Sequence, residues 1–455
     1  MDPKQLDLTQ HWAGYLSLSI MVLAYAAAML EEVTALRKST PMLLAAGLIW
    51  TIIVLVYQQH GDAHLAADMF DRNLLTYAEL LFFIMVSMTY LNRMDDMQVF
   101  DALRVKLLSK GMSYRQLFWV TGVLVFFMSL FLNGLTAGLL MGSIVIAVGK
   151  KNAHFVSLAC INIVVATNAG GSVSPLGGIS TLFVWQHGML QFTDFFKLLL
   201  PCLVNFLVPA LFMQFAISKD YPAIEVENII MQRGAKFVVC LFGITILLTV
   251  WVDMFLAMPP AFGMMAGLSL LNLFNYYLQK SPDTSYRSSK QLFKNLVNAN
   301  MSTGIAKYQH LNITDEVSSL YWDTLLFFYG AMMGIGGLGY IGYLDAVSHI
   351  LYGLLSPTTA NILIGLSSAF IDNGTLMFAV LTMHPDIPPG QWLLLTLTLG
   401  VGGSLLAIGS APGIGLLGLA KGQYTFSEHL KWFPVILLGY FASIGVHFLV
   451  NARYF

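Results

Sequence analysis

Apolar residues run along this chain in blocks of about 20, the length a helix needs to cross the ~30 Å hydrocarbon layer of a bilayer. Eight uninterrupted blocks predict spanning helices near residues 12–30, 41–57, 74–92, 198–217, 236–252, 258–278, 321–341 and 433–450. Two further apolar regions are longer and broken by polar and flexible residues. Residues 114–190 contain Asn133-Gly134 and then Asn168-Ala-Gly-Gly-Ser-Val-Ser-Pro-Leu-Gly-Gly178. Residues 357–425 contain Asp372-Asn373-Gly374, then Gly400-Val-Gly-Gly-Ser404 and Gly409-Ser-Ala-Pro-Gly-Ile-Gly415. So much Gly and Pro is tolerated at membrane depth only where the freed backbone is buried in protein or lines a cavity. Each region therefore predicts a re-entrant hairpin (114–148 and 357–383) followed by a helix unwound in its middle (153–190 and 391–425).

Composition agrees with a lipid-embedded chain. Of 455 residues, 57% are hydrophobic and 10% charged, against roughly 25% charged in an ordinary soluble domain, and the mean hydropathy is +0.71. A soluble enzyme is excluded, and the expected unit is a single membrane domain. The net charge of −1 offers no basic face for a nucleic acid. Cys160, Cys202 and Cys240 lie in apolar runs without CxxC spacing and read as core filler. The first block follows Asp2 and Asp7 rather than a basic leader and has no small-residue cleavage site, so it reads as a span and not as a signal peptide.

The two halves of the chain read as copies. Tyr77-Ala-Glu-Leu-Leu-Phe-Phe83 aligns with Trp322-Asp-Thr-Leu-Leu-Phe-Phe328, and Ser129-Leu-Phe-Leu-Asn-Gly-Leu-Thr136 with Ser368-Ala-Phe-Ile-Asp-Asn-Gly-Thr375. Gly170-Gly-Ser172 then answers Gly402-Gly-Ser404, and Phe192-Thr-Asp-Phe-Phe-Lys197 answers Phe426-Ser-Glu-His-Leu-Lys431. The offsets of 245, 239, 232 and 234 residues drift little over four matches in sequence, the mark of a duplication. Lys and Arg collect on cytoplasmic loops. With 114–148 as a hairpin and the first block entering from outside, 19 of the 23 basic residues fall inside, leaving Lys4, Arg72, Lys197 and Arg453 outside. A full crossing at 114–148 would strand Lys150 and Lys151 outside. The expected fold is an all-α polytopic membrane protein of two inverted repeats, 1–220 and 235–455. It has about ten transmembrane helices, two re-entrant hairpins and two unwound helices, and both termini outside the inner (plasma) membrane. Residues 279–320 read as a polar cytoplasmic linker within the second repeat, with an amphipathic helix near 290–308. Inverted repeats with discontinuous helices mark secondary transporters.

Candidate chemistry centres on Asp372. An aspartate amid an apolar run costs roughly 2.5 to 3.5 kcal/mol on insertion scales, which calls for a function. At a hairpin tip, a carboxylate among exposed carbonyls makes a hard oxygen site suited to Na+ or Li+; the alternative is that Asp372 caps the returning half-helix. Ser404, Ser410 and the carbonyls near Gly402 and Gly409 belong to the facing unwound stretch. Asn168, Ser172, Ser174 and Thr181 hold the matching places in the first half, where coordinating an ion and satisfying broken helix ends are equally good readings. Glu79 and Asp323, at nearly repeat-related positions, could relay protons or attract cations, or could be interfacial. Glu31-Glu32 before Arg37-Lys38 reads as an interfacial charge cluster. His60 and His64 are too few for a metal site. No Lys or Arg lies in either interrupted region near its tips, which favours a cation cargo over an anion. No cofactor is expected beyond the transported Na+ or Li+ and H+.

These motifs resemble the NhaD-type sodium/proton antiporters of the ion-transporter superfamily. The resemblance runs from Glu31-Glu32-Val-Thr-Ala-Leu-Arg-Lys-Ser-Thr-Pro41 and Gly47-Leu-Ile-Trp50 through Asn168-Ala-Gly-Gly-Ser-Val-Ser-Pro-Leu-Gly177 and Ala369-Phe-Ile-Asp-Asn373 to Gly402-Gly-Ser-Leu-Leu-Ala-Ile-Gly-Ser410. It implies Na+/H+ exchange and no enzyme activity. It also implies a homodimer in the bilayer and ion or proton handling by Asp372, Asn373, Ser368, Asn168, Glu79, Asp323, Ser180 and Thr181. Two departures stand out. Where the family usually has Asp-Asn at the first tip, this chain has Asn133-Gly134; where it has Gly-Asp after Ser-Pro, this chain has Gly177-Gly178. The second-half site is then the expected exchanger and the first half a neutral scaffold or weakened ion site around Asn133. Rival readings are a related carrier of dicarboxylates, citrate or oxyanions, an uncoupled homologue, or a passive channel. An intramembrane protease pairing Asp323 with Asp372 lacks the Gly-x-Gly-Asp setting such enzymes need.

Overall fold

The structure is a computed structural model that describes residues 6–29, 31–34, 36–60, 62–109, 111–149, 152–222, 231–280 and 322–455. The expected linker and its amphipathic helix lie outside the described residues apart from 279 and 280, as do Lys150 and Lys151. In chain order the helices are α1 (Trp12–Met29), α2 (Glu31–Thr34), α3 (Ser39–Gln59), α4 (Ala63–Asp96) and α5 (Val99–Leu108). They continue as α6 (Tyr114–Met128), α7 (Gly134–Val148), α8 (Ala153–Gly171), α9 (Ile179–Gln186), α10 (Leu199–Met213), α11 (Ala235–Leu256) and α12 (Pro260–Lys280). Then come α13 (Trp322–Ile341), α14 (Tyr343–Ser348), α15 (Pro357–Ser367), α16 (Asn373–Met383), α17 (Pro389–Gly402), α18 (Ala411–Leu419) and α19 (Phe426–Asn451). No strand occurs among the described residues.

The protein is an all-α, multi-pass membrane protein. Eight helical stretches are long and apolar enough to cross a bilayer: Trp12–Met29, Ser39–Gln59, His64–Asp96, Ala153–Gly171, Phe192–Ala216, Ala235–Leu256, Trp322–Ile341 and Phe426–Tyr454. Seven coincide with blocks read from the sequence. The eighth block forms α12, whose Asn272, Asn275, Tyr276 and Tyr277 make it less apolar. Both interrupted regions break where the Gly, Pro, Asn and Asp residues predict. At 1.5 Å rise per residue, the 15-residue arms α6 and α7 reach about 22 Å and the 11-residue arms α15 and α16 about 16 Å. None of the four is long enough to span the ~30 Å hydrocarbon layer alone.

The described chain forms two compact units. Of the described residues, the smaller holds 79–105 and 231–280; within it the Tyr90 hydroxyl donates to the Gly267 carbonyl at 2.8 Å and pairs with Thr245 Oγ1 at 2.8 Å, joining α4 to α11 and α12. The larger holds both interrupted regions, α1, α3, α10, α13 and α19. At its centre lie α8, buried from Phe155 through Gly171, and α17, buried from Gly390 through Gly402. Helices apolar all round bury themselves in this way. Around this pair, α6 packs on α8 and α15 on α17, while α7 packs on α18 and α16 on α9. Each hairpin thus lays one arm on its own interrupted helix and the other on the far half of the partner region's. Buried amides hold the arms: Asn162 Nδ2 donates to the Phe118 carbonyl at 3.1 Å, and Asn361 Nδ2 to the Gln391 carbonyl at 3.0 Å.

Candidate cation site

The hairpin tips are built alike. Ser129 and Ser368 end the first arms in helical conformation, and Asn133 (φ −52°, ψ 133°) and Asp372 (φ −53°, ψ 132°) start the second arms as N-caps. A short oxygen-bearing side chain at that position satisfies the otherwise orphaned amides of the first helical turn. Asn133 Oδ1 accepts from the Leu135 amide at 3.0 Å. Asp372 Oδ2 accepts from the Gly374 amide at 3.0 Å, the Thr375 amide at 3.2 Å and the Thr375 hydroxyl at 3.4 Å. The capping role weighed for Asp372 is therefore real, but it uses one oxygen. Oδ1 accepts no hydrogen bond among the described residues, so one carboxyl oxygen is left over. At the first tip the left-over atom is the Asn133 amide nitrogen, a donor that cannot ligate a cation.

The unwound segments face these tips. They leave their first halves at Ser172 and Gly403 and re-enter helix at Gly178 (φ −142°, ψ 152°) and Ser410 (φ −144°, ψ 150°), both fully extended. A Cβ on Gly177 would lie 2.1 Å from the Ser129 carbonyl oxygen, and one on Gly409 would lie 2.9 Å from that of Ser368. Glycine alone admits the tip carbonyls so closely. The two segments are joined directly: Asn168 Nδ2 donates to Ser410 Oγ at 2.9 Å and to the Val164 carbonyl at 3.0 Å. Ser172 Oγ donates to the Asn168 carbonyl, and Ser404 Oγ to the Val401 carbonyl. The Ser404 carbonyl in turn accepts from His429 Nε2 at 2.9 Å, which leaves Nδ1 to accept from the Tyr424 hydroxyl at 2.7 Å; the carbonyl acceptor dictates this tautomer.

The expected site residues fall into two groups. A Cβ on Gly134 would lie 3.0 Å from Thr167 Cγ2 and 3.4 Å from Pro412 Cγ, so the Asn133 tip sits beside the Asn168–Ser410 link. A Cβ on Gly374 would lie 2.9 Å from Ile179 Cγ2 and 3.2 Å from Phe328, so the Asp372 tip sits where α9 begins, next to Ser180 and Thr181. Ser180 is buried and Thr181 Oγ1 donates to the Gly178 carbonyl at 2.7 Å. Ser368 is buried with its hydroxyl on the Leu399 carbonyl at 3.0 Å, and Asn373 is half-buried at the first position of α16. Asp323, in the first turn of α13, accepts from the Ser39 hydroxyl. Glu79 is a half-buried residue of α4 belonging to the other unit.

Space brings two residues to Asp372 that the sequence left elsewhere. The Tyr25 hydroxyl, on α1, is buried beside Thr375. Lys38, at the N-cap of α3, also lies within Coulombic reach of Asp372, and its Nζ stands 5.1 Å from the centre of the Phe327 ring. The absence of a basic residue near the tips holds along the chain and fails in space. One signal pointed to Lys38: it occupies the positive end of a helix, where the dipole disfavours a cation unless a carboxylate offsets it.

The profile of the citrate transporter family, CitMHS, matches residues 9–400. The Na+/H+ antiporter NhaD of Vibrio cholerae is 48% identical over 100% of this chain and 95% of its own length. That of Halomonas elongata is 46% identical over 99% and 91% of the two chains. Sodium/proton antiporter 1 of Arabidopsis thaliana is 26% identical, with 95% and 72% covered.

Proposed function

The chain belongs to the citrate transporter (CitMHS) family of membrane carriers, and from that membership we propose that it exchanges Na+ or Li+ for H+, the two competing for the carboxylate of Asp372. The observation that carries this reading is the free Oδ1 at a helix break. A bare carboxylate within the membrane is costly, so this group is stable when it holds a proton or a metal cation and unstable when it holds neither. A carrier that changes conformation only with its carboxylate neutralised exchanges one cation for the other and leaks neither. The relatives named as Na+/H+ antiporters over nearly their full lengths support this cargo. So does the placement of Asp372 on the N-terminus of α16, because its charge occupies the dipole end an anion would need.

In this reading Ser180, Thr181, Asn373 and the backbone oxygens around Ser368 supply neutral ligands on the Asp372 side. Asn168 and Ser410 tie the unwound segments together, and Asn133 keeps the first tip folded without charge. Asp323 and Glu79 attract cations or relay protons. Residues 1–220 and 235–455 act as inverted repeats, supported by the matched tip torsions and the exchanged packing of α7 on α18 and α16 on α9. With one acid at the tips rather than several, each cycle exchanges fewer charges than in relatives that keep both first-half acids. The test is proton release from acidified everted vesicles on adding Na+, Li+, K+ or citrate. Na+ or Li+ is expected to release protons and Asp372→Asn to abolish the response. Full activity of that variant, or a response to citrate alone, would overturn the reading.

A further inference from the structure

We infer that His429 is a positioning residue of the exchange site: with Tyr424 it locks the Ser404 carbonyl of the second unwound stretch and so fixes the bed on which the Asp372 tip rests. The inference builds on the reading of Asp372 as the exchanging carboxylate and adds what holds the tip's surroundings in place. Between Gly403 and Ser410 the chain is out of the helix, so a buried carbonyl there needs a donor from elsewhere. For Ser404 that donor is His429 Nε2 at 2.9 Å, and Ser404, Tyr424 and His429 are all buried. A neutral imidazole carries a single N–H. The Tyr424 hydroxyl, 2.7 Å from Nδ1, occupies the other nitrogen and keeps that N–H on Nε2. The chain of donors ends on an amide carbonyl, which passes no proton onward, so the pair holds position rather than relays charge.

What is held lies against the hairpin. A Cβ on Gly402 would lie 2.0 Å from the Gly365 carbonyl oxygen and 3.4 Å from Ser368 Cβ, one on Gly403 3.6 Å from Ser368 Oγ, and one on Gly409 2.7 Å from the Ala369 carbonyl oxygen. Ser404 sits between these close approaches, and Ser368 and Ala369 run directly into the tip that carries Asp372. A displaced Ser404 therefore displaces the last turn of α15 and the start of the tip, and cation ligands work only when their supports hold them to within about 0.5 Å. The other half of the chain shows the alternative. In the alignment of Phe192–Lys197 with Phe426–Lys431, Phe195 stands in the place of His429, and at the same offset of 234 Leu190 stands in the place of Tyr424. Both are buried. Apolar packing thus serves the half whose tip bears Asn133, and the polar lock accompanies the half whose tip bears the carboxylate.

The test uses the full chain in everted vesicles and in detergent. His429→Phe copies the first-half residue and removes the donor, whereas His429→Gln restores a side-chain N–H close to the place of Nε2. His429→Phe should raise the Na+ concentration for half-maximal proton release about tenfold, the scale of one lost hydrogen bond, and keep the maximal rate. His429→Gln should recover most of the native half-saturation. Tyr424→Phe should give a smaller rise, because the ring can then carry its N–H on either nitrogen. A residue that only stabilises the fold would lower the thermal midpoint equally with and without Na+; a positioning residue also weakens the rise in midpoint that Na+ gives. Native half-saturation in His429→Phe, or a folded His429→Gln no better than His429→Phe, would overturn this inference and, with Asp372→Asn inactive, leave the exchange reading standing. Where either His429 variant does not fold, Tyr424→Phe decides, since it removes a single hydroxyl: raised half-saturation supports the lock and a native value overturns it. Persisting exchange in Asp372→Asn would overturn the exchange reading itself.

Discussion

Replacing Asp372 by asparagine takes one negative charge from the second hairpin tip and leaves the fold of that tip almost untouched. Asn and Asp are near-equal N-caps, and Asn133 already shows the substituted state: at matching torsions its Oδ1 accepts a first-turn amide at 3.0 Å. The stability change should therefore stay within about 0.5 kcal/mol, whereas Asp372→Ala, which removes the acceptor for the Gly374 and Thr375 amides, should cost about 1 kcal/mol. The charge itself matters far more. A unit pair 4 Å apart is worth about 4 kcal/mol at an effective dielectric of 20, and removing one member of a buried pair costs about 3–5 kcal/mol. At 1.4 kcal/mol per tenfold, Na+ affinity should fall by about two to three and a half orders of magnitude. The assays are Na+-driven proton release from everted vesicles and the thermal midpoint of the purified variants in detergent. Loss of exchange with a native midpoint is expected. Native half-saturation for Na+ in the Asn variant would refute the charge argument, and equal destabilisation by Asn and Ala would refute the capping argument.

Restoring the first-half acids is sterically open at one position: a Cβ on Gly178 would meet only ordinary contacts, 3.4 Å from the Gly171 oxygen and Thr181 Oγ1. Asn133→Asp with Gly178→Asp should fold and raise the number of protons released per Na+, read from the reversal potential of exchange; an unchanged ratio counts against a latent first-half site. Gly177→Ala should destabilise strongly, because its Cβ would collide with the Ser129 carbonyl, whereas Gly178→Ala should change the midpoint by less than about 1 kcal/mol. The opposite ranking would contradict the described approach of tip and segment. Tyr424→Phe should cost about 1–2 kcal/mol by leaving His429 Nδ1 without a donor, measured as a lowered midpoint; His429→Phe, which frees the Ser404 carbonyl, should also alter the Na+ dependence of exchange.

Both interrupted regions were legible because Gly, Pro and acids at membrane depth are costly unless something local requires them. Breaks fall between Met128 and Gly134 and between Ser367 and Asn373, at the tips the Asn and Asp residues marked. The block expected at 74–92 proved the apolar part of α4, which runs from Ala63; hydropathy registers lipid exposure and misses a helix that continues through Asp68, Asp71 and Arg72. Asp372 was visible for being charged in an apolar run. Tyr25 was not, and Lys38 only by its place at the start of a helix; both lie more than 300 residues from Asp372 in sequence, on α1 and before α3, which pack on α13. The His429–Tyr424 pair was hidden for the same reason, its partner carbonyl being on a different element.

The matched caps bear on how this lineage could lose an acid. A carboxylate and an amide hold the same turn at the same torsions, so exchanging one for the other at a hairpin tip changes electrical behaviour without passing through a poorly folded intermediate. Natural selection on folding is blind to such a step. Drift at such a position can thus alter the charge of a hairpin tip while its architecture is inherited intact.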